Sequence, residues 1–199
     1  MKIRFTGNFM EFVDPLAAML LSLGISAALI AAYFYMAAQG KDMKELVIPS
    51  FAFGFFDFAS GFRMSQFWPF PGPLSAYNML FGDPLMILGL LLMAGSLMIY
   101  KQENLRSISI PGVMLGIYLF IESAAMINFK LETGDELVSA LGLYVMSGIS
   151  AVYSLVLFVK PDKSKKYLYY IGFILLALTA LIALFIGYAA ISQHLQAPP

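Results

Sequence analysis

Asp57, Arg63 and Glu122 each sit inside a stretch that is otherwise apolar enough to cross a bilayer. Charge at membrane depth is costly, so such a residue needs a partner, a water-filled cavity or a task. Two carboxylates and a guanidinium offer two kinds of chemistry. As an ion pair they would fix helix register. Along a polar path, Arg63 would hold an anionic or carbonyl group, and a carboxylate would tune that charge or exchange a proton. Asp57 and Arg63 are six residues apart, about 9 Å along a helix and about 120° around it, so they do not share one stripe. Glu122 falls about 6 Å past the middle of its own apolar stretch, between the other two in depth. The expected geometry is an Arg63–Glu122 pair, with Asp57 neutral, or bonded to Ser50, Ser60 or a tyrosine. Tyr118, one turn from Glu122, would share its cavity.

The elements that must position these side chains are membrane spans. The chain has 199 residues, 60% hydrophobic and 12% charged, against about 25% charged in ordinary soluble domains. A spanning helix needs about 20 mostly apolar residues. Six segments qualify: Pro15–Ala38, Leu46–Trp68, Pro84–Tyr100, Ile108–Ile127, Glu136–Val159 and Tyr167–Ser192. The fold class is an all-α integral membrane protein, a single domain of six transmembrane helices, its partner the lipid bilayer. Polar turns and prolines end the spans: Gln39 to Asp42, the proline-rich stretch from Trp68 to Asp83, and Lys160 to Lys163.

Lys41, Lys44, Lys101, Arg106, Lys160, Lys163, Lys165 and Lys166 flank the turns after spans one, three and five. Lys2, Arg4 and Lys130 lie on the other side. Basic residues concentrate on the cytoplasmic face, which predicts a multi-pass plasma-membrane protein with both termini outside. The other face carries Glu11, Asp14, Asp83, Glu132, Asp135 and Glu136, either a cation-attracting vestibule or ordinary interfacial carboxylates. The N-terminal 14 residues are too polar, and the following span too long, for a cleavable signal peptide.

Spans one, three and five open on Asp14-Pro15, Asp83-Pro84 and Gly134-Asp135-Glu136. An aspartate before proline is a strong helix start, because the carboxylate caps free N–H groups and proline suits the first turn. Gly24-Ile25-Ser26-Ala27 recurs as Gly148-Ile149-Ser150-Ala151. Three helical hairpins in a parallel repeat would produce this pattern. Gly112 and Gly116, Ser22 and Ser26, and Ser50 and Gly54 hold the small-residue spacing by which helices approach closely in lipid. The outer loop, with Trp68 and its prolines before Tyr77, Asn78 and Asp83, would cap a pore mouth, seal an oligomer seam or form an interfacial aromatic belt.

Much chemistry is excluded. With no cysteine there is no disulfide or thiolate chemistry, and zero net charge argues against nucleic acid. The one histidine, His194, cannot supply bis-histidine haem or a histidine-rich zinc site. No phosphate-binding glycine loop or nucleophile motif is present. The thirteen methionines suit packing better than copper binding. No enzyme activity and no cofactor are expected.

The chain resembles an uncharacterised family of prokaryotic membrane proteins in which a Trp-Pro-x-Pro-Gly loop precedes an asparagine and a Phe-Gly-[Asp/Glu]-Pro segment. Here these are Trp68–Gly72, Asn78 and Phe81–Pro84. That resemblance spans most of the chain and implies no activity. In architecture the chain also resembles bacterial urea and short-chain amide channels and the acetate-uptake family. Gly134-Asp135, Gly148 to Ala151 and the tail Ile191 to His194 carry this second likeness. It implies three hairpins, a narrow pore in each subunit and a homo-oligomeric ring. The single tryptophan departs from the tryptophan-rich constrictions of urea channels. The Asn-Pro-x-Pro opening of the acetate family is missing. The functional expectation is a channel or facilitator for a small polar solute, with Asp57, Arg63, Glu122 and Tyr118 along its path. The alternative is a non-transporting membrane subunit in which these residues lock helices or meet a partner.

Overall fold

The structure, a computed structural model, describes residues 15–72 and 75–196, with the side chains of Pro15, Gln193 and His194 left out. The expected cap Asp14, with Glu11, Lys2 and Arg4, lies outside the described residues, as does the His194 side chain. Six long helices follow one another: α1 Pro15–Gln39, α2 Val47–Phe67, α3 Ala76–Tyr100, α4 Arg106–Asn128, α5 Gly134–Val152 and α6 Lys166–Gln196. Short 3-10 turns at Lys44–Leu46 and Tyr153–Phe158 lead into α2 and extend α5. All six helical segments are long and apolar enough to span a membrane. Helices suit hydrocarbon because every backbone N–H and C=O is satisfied within the segment.

The helices alternate in direction, so the bundle has two ends. The turns after α1, α3 and α5 gather the eight basic residues from Lys41 to Lys166 at one, here called the basic end. Residues 68–72, after α2, and 129–133, after α4, lie at the other, the loop end.

Three antiparallel couples dominate the packing, and they are α2–α3, α4–α5 and α1–α6 rather than sequential hairpins opened by spans one, three and five. Glycine explains the tightest. Gly54 and Gly61 on α2 face Gly89 and Gly82 on α3. A Cβ added at Gly61 would stand 2.4 Å from the Met86 nitrogen, and one at Gly89 would stand 2.3 Å from the Phe58 nitrogen. Backbone meets backbone here, and any larger side chain would push the helices apart. In α4–α5, Gly116 packs on Val152 and Gly148. In α1–α6, Gly24 receives Leu184 and Gly172 receives Phe34.

Asp83-Pro84 does not open span three. α3 starts at Ala76, so Tyr77, Asn78 and Asp83 belong to the helix and not to the outer loop, and Pro84 stands inside it. Proline removes the N–H that would bond the carbonyl four residues earlier, here that of Leu80. A neighbouring helix supplies the donor instead: the Tyr144 hydroxyl on α5 bonds to the Leu80 carbonyl. Proline is tolerated in membrane helices when the freed group finds such a partner. Span five opens one residue after Thr133, with Gly134 at φ +59° and Asp135 in the first turn.

Candidate functional site

The described residues hold two separate buried carboxylate centres and, between the helices, an apolar cavity. The first centre joins α1 to α2. Ser22 and Ser26 stand four residues apart on one face of α1. Each donates to one oxygen of Asp57: Ser22 Oγ to Oδ1 and Ser26 Oγ to Oδ2, both at 2.5 Å. Asp57 and Ser26 are fully buried, and Ser22 is nearly so. The carboxylate is held by two hydroxyl donors in a closed fork. Its partners lie on α1, not at Ser50, Ser60 or a tyrosine. The sequence carried the signal in the paired serines of span one, which also suited a small-residue packing ridge.

The second centre lies towards the loop end of α3, α4 and α5. Tyr118 donates to Asp83 Oδ2 at 3.1 Å and also lies beside Glu122. Glu122 is 5% exposed, and neither of its carboxylate oxygens has a hydrogen bond of standard geometry. Tyr144, 3% exposed, is close enough to Glu122 to feel its charge. At the same end Tyr77 donates to Glu132. Tyr144 was not anticipated as part of this group, because nothing in a single apolar span marks which tyrosine faces a carboxylate on another helix.

Arg63 joins neither centre. No Arg63–Glu122 pair forms, because α3 packs between α2 and α4. Arg63 is exposed and lines a shallow groove with Ala18, Met19, Phe56, Ser60 and Met64 on the α1–α2 side. Among the described residues the one ion pair is Lys44–Asp42, in the exposed turn before α2.

The loop 68–72 is fastened by Asn78, which is fully buried in the first turn of α3. Its amide nitrogen donates to the carbonyls of Phe70 at 2.7 Å and Ser75 at 3.0 Å, and its Oδ1 accepts from the Phe70 N–H at 3.0 Å. Trp68, at φ 49°, ends α2 in the left-handed conformation and remains half exposed. The asparagine and the proline loop of the sequence pattern are therefore one structural unit.

The cavity measures about 210 Å³ and is walled by all six helices. Leu23, Leu88, Leu92, Leu115, Leu119 and Leu143 represent its character. Serine, threonine and tyrosine residues stand among the leucines, including Ser147, whose Oγ is buried without a partner. Phe81 and Tyr144 line it as well, their rings edge to face at 6.0 Å between centroids. Among the described residues no group of three or more histidine or carboxylate side chains could hold a metal ion.

No curated protein and no solved structure matches the chain. One family model does, over residues 10–197, and the chain accordingly belongs to that family, described as a protein of unknown function, DUF981.

Proposed function

We propose that this protein is a membrane facilitator or carrier for a small molecule whose body is apolar and which carries a polar group. The cavity carries this reading. Its walls are mostly leucine and aromatic surface, and its volume of about 210 Å³ exceeds the roughly 150 Å³ of a leucine-lined cavity that takes up benzene. Urea, an amide or acetate would leave hydrogen-bonding groups unmatched against such walls, so the polar solutes suggested by architecture suit it less well. A wholly apolar molecule dissolves in the bilayer and needs no carrier. A substrate with both characters does. We infer that the basic end faces the cytoplasm, from the concentration of lysine and arginine there.

Fluorobenzene binding to the purified protein in phosphatidylcholine nanodiscs, followed by ¹⁹F NMR, tests the cavity. Saturable binding that Leu115→Trp abolishes is expected. Absent binding, or binding that survives the filled cavity, overturns the reading. Liposomes carrying the protein should show no faster entry of urea, acetamide or acetate than empty liposomes, and faster entry would restore the polar-solute channel.

A second reading rests on Asp57. Its buried fork with Ser22 and Ser26 ties two helices together away from the cavity wall, as expected of a non-transporting subunit whose buried charge sets register.

A further inference from the structure

We propose that Arg63 and the groove between α1 and α2 hold one phospholipid, its phosphate on the guanidinium and an acyl chain in the groove. The site is separate from the central cavity and does not depend on what the cavity takes.

Depth is the first observation. The span that contains Arg63 runs 24 residues from Lys44 to Phe67, about 36 Å at the helical rise. The hydrocarbon layer is about 30 Å thick. Arg63 stands one turn before Phe67, so its Cα lies just inside the hydrocarbon boundary at the loop end. Its side chain is exposed there, on a helix whose Phe55, Phe62 and Phe67 are exposed as well. In a bilayer that surface meets lipid. A guanidinium in such a place is costly unless it reaches the interface and meets an anion.

The protein supplies no such anion. Among the described residues no carboxylate pairs with Arg63. Asp83 accepts from Tyr118 and Glu132 from Tyr77, and Asp57 is closed by its two serines. Lipid headgroups at this depth do supply one. A phosphate accepts two parallel N–H bonds from a guanidinium, a geometry that matches the fixed fork of arginine.

The groove gives the ligand its direction. Phe56, Ser60 and Arg63 follow at spacings of four and three along one face of α2, and all three line the groove. Ala18 and Met19 of α1, with Met64, supply the rest of its wall. Phe56 lies about 10 Å deeper in the bilayer than Arg63. The cationic end of the groove is therefore level with the headgroups and its apolar end with the acyl chains, which is the polarity of a phospholipid. Ser60, between the two, falls at the depth of the ester oxygens.

Native mass spectrometry of the full chain, released from a maltoside detergent, tests the site. It compares dioleoyl phosphatidylglycerol with dioleoylglycerol, which has the same chains and no phosphate. The phospholipid is expected to bind at least tenfold more tightly, as one molecule per chain. Arg63→Gln should abolish that preference and leave the thermal unfolding midpoint unchanged. Ala18→Trp keeps the guanidinium but fills the groove, and should weaken phosphatidylglycerol binding at least tenfold. Equal binding of the two lipids overturns the proposal, as does a preference that persists in Arg63→Gln. Phosphatidylglycerol affinity untouched by Ala18→Trp puts the lipid elsewhere and overturns it as well. A lowered midpoint in Arg63→Gln would assign the guanidinium an internal partner, and a lipid-free dimer would give this face to a second copy; either result overturns the site.

Discussion

The Tyr144 hydroxyl donates to the main-chain carbonyl of Leu80, the acceptor that Pro84 strips of its helical N–H. One side chain on α5 thus repairs a fault in α3, and the repair lies beside Glu122 and on the cavity wall. The bond ties the integrity of α3 to the docking of α5.

Tyr144→Phe should destabilise the bundle by about 1–3 kcal/mol, because it leaves a buried carbonyl without a donor. Pro84→Ala restores an N–H to the same carbonyl. Unfolding in mixed micelles of increasing dodecyl sulfate should therefore find the double variant more stable than Tyr144→Phe alone. Strict additivity of the two substitutions would show that they do not share this acceptor.

The α2–α3 seam should be intolerant of a single methyl group. Gly61→Ala and Gly89→Ala place a Cβ within 2.4 Å and 2.3 Å of a backbone nitrogen on the facing helix. Overpacking of this kind costs about 1–3 kcal/mol. Gly142→Ala meets nothing within 4 Å and should be neutral or stabilising by up to about 1 kcal/mol through helix propensity. Thermal denaturation of the three variants in one detergent ranks them directly.

Asp57 should matter to stability and depend on its serines. Ser22→Ala or Ser26→Ala removes one donor, and the double variant strands a buried carboxylate. That double variant should cost about 3–5 kcal/mol. Asp57→Asn retains an acceptor for one serine and offers an amide donor to the other, so a smaller loss is expected. The same unfolding assay decides: a double-serine variant as stable as the parent would rule out the fork as a helix lock.

Asn78→Ala removes three hydrogen bonds that fasten the 68–72 loop. At about 1 kcal/mol each, a loss of about 2–3 kcal/mol is expected. Hydrogen exchange should localise the change to the Phe70 amide and the first turn of α3. Protection unchanged at Phe70 would contradict the assignment.

The turn into α6 supplies a pH signature. The carboxylate of Asp162 accepts from the Ser164 hydroxyl and from the Ser164 and Lys165 N–H groups, which hold its pKa below the usual carboxylate range. A depressed folded pKa means that the contribution is complete above the unfolded value, about 3.9, and is lost as pH falls through the lower folded one. Exchange of the Ser164 and Lys165 amides should accelerate, beyond the intrinsic trend, only on strong acidification. Asp162→Ala should remove that step.

The six spans, their number and alternation, and the gathering of basic residues at one end were all legible in the chain, because bilayer thickness sets the length of an apolar run. Membership of an uncharacterised family was likewise carried by the Trp68 loop, Asn78 and Phe81–Pro84. Helix boundaries at proline were less so. Asp83-Pro84 has the local chemistry of a helix start, and only the distant Tyr144 hydroxyl lets α3 continue through it.

The partners of the charged residues were decided by the tertiary structure alone. Asp57, Arg63 and Glu122 are visible as exceptions within apolar runs, yet their pairing was not. In water an amphipathic stripe reveals which face of a helix is buried. In lipid both faces are apolar, so hydropathy cannot tell α1 from α4 as the neighbour of α2. That choice is made by close-range fit: the glycines that press α2 onto α3, and the two serines whose spacing matches the oxygens of one carboxylate.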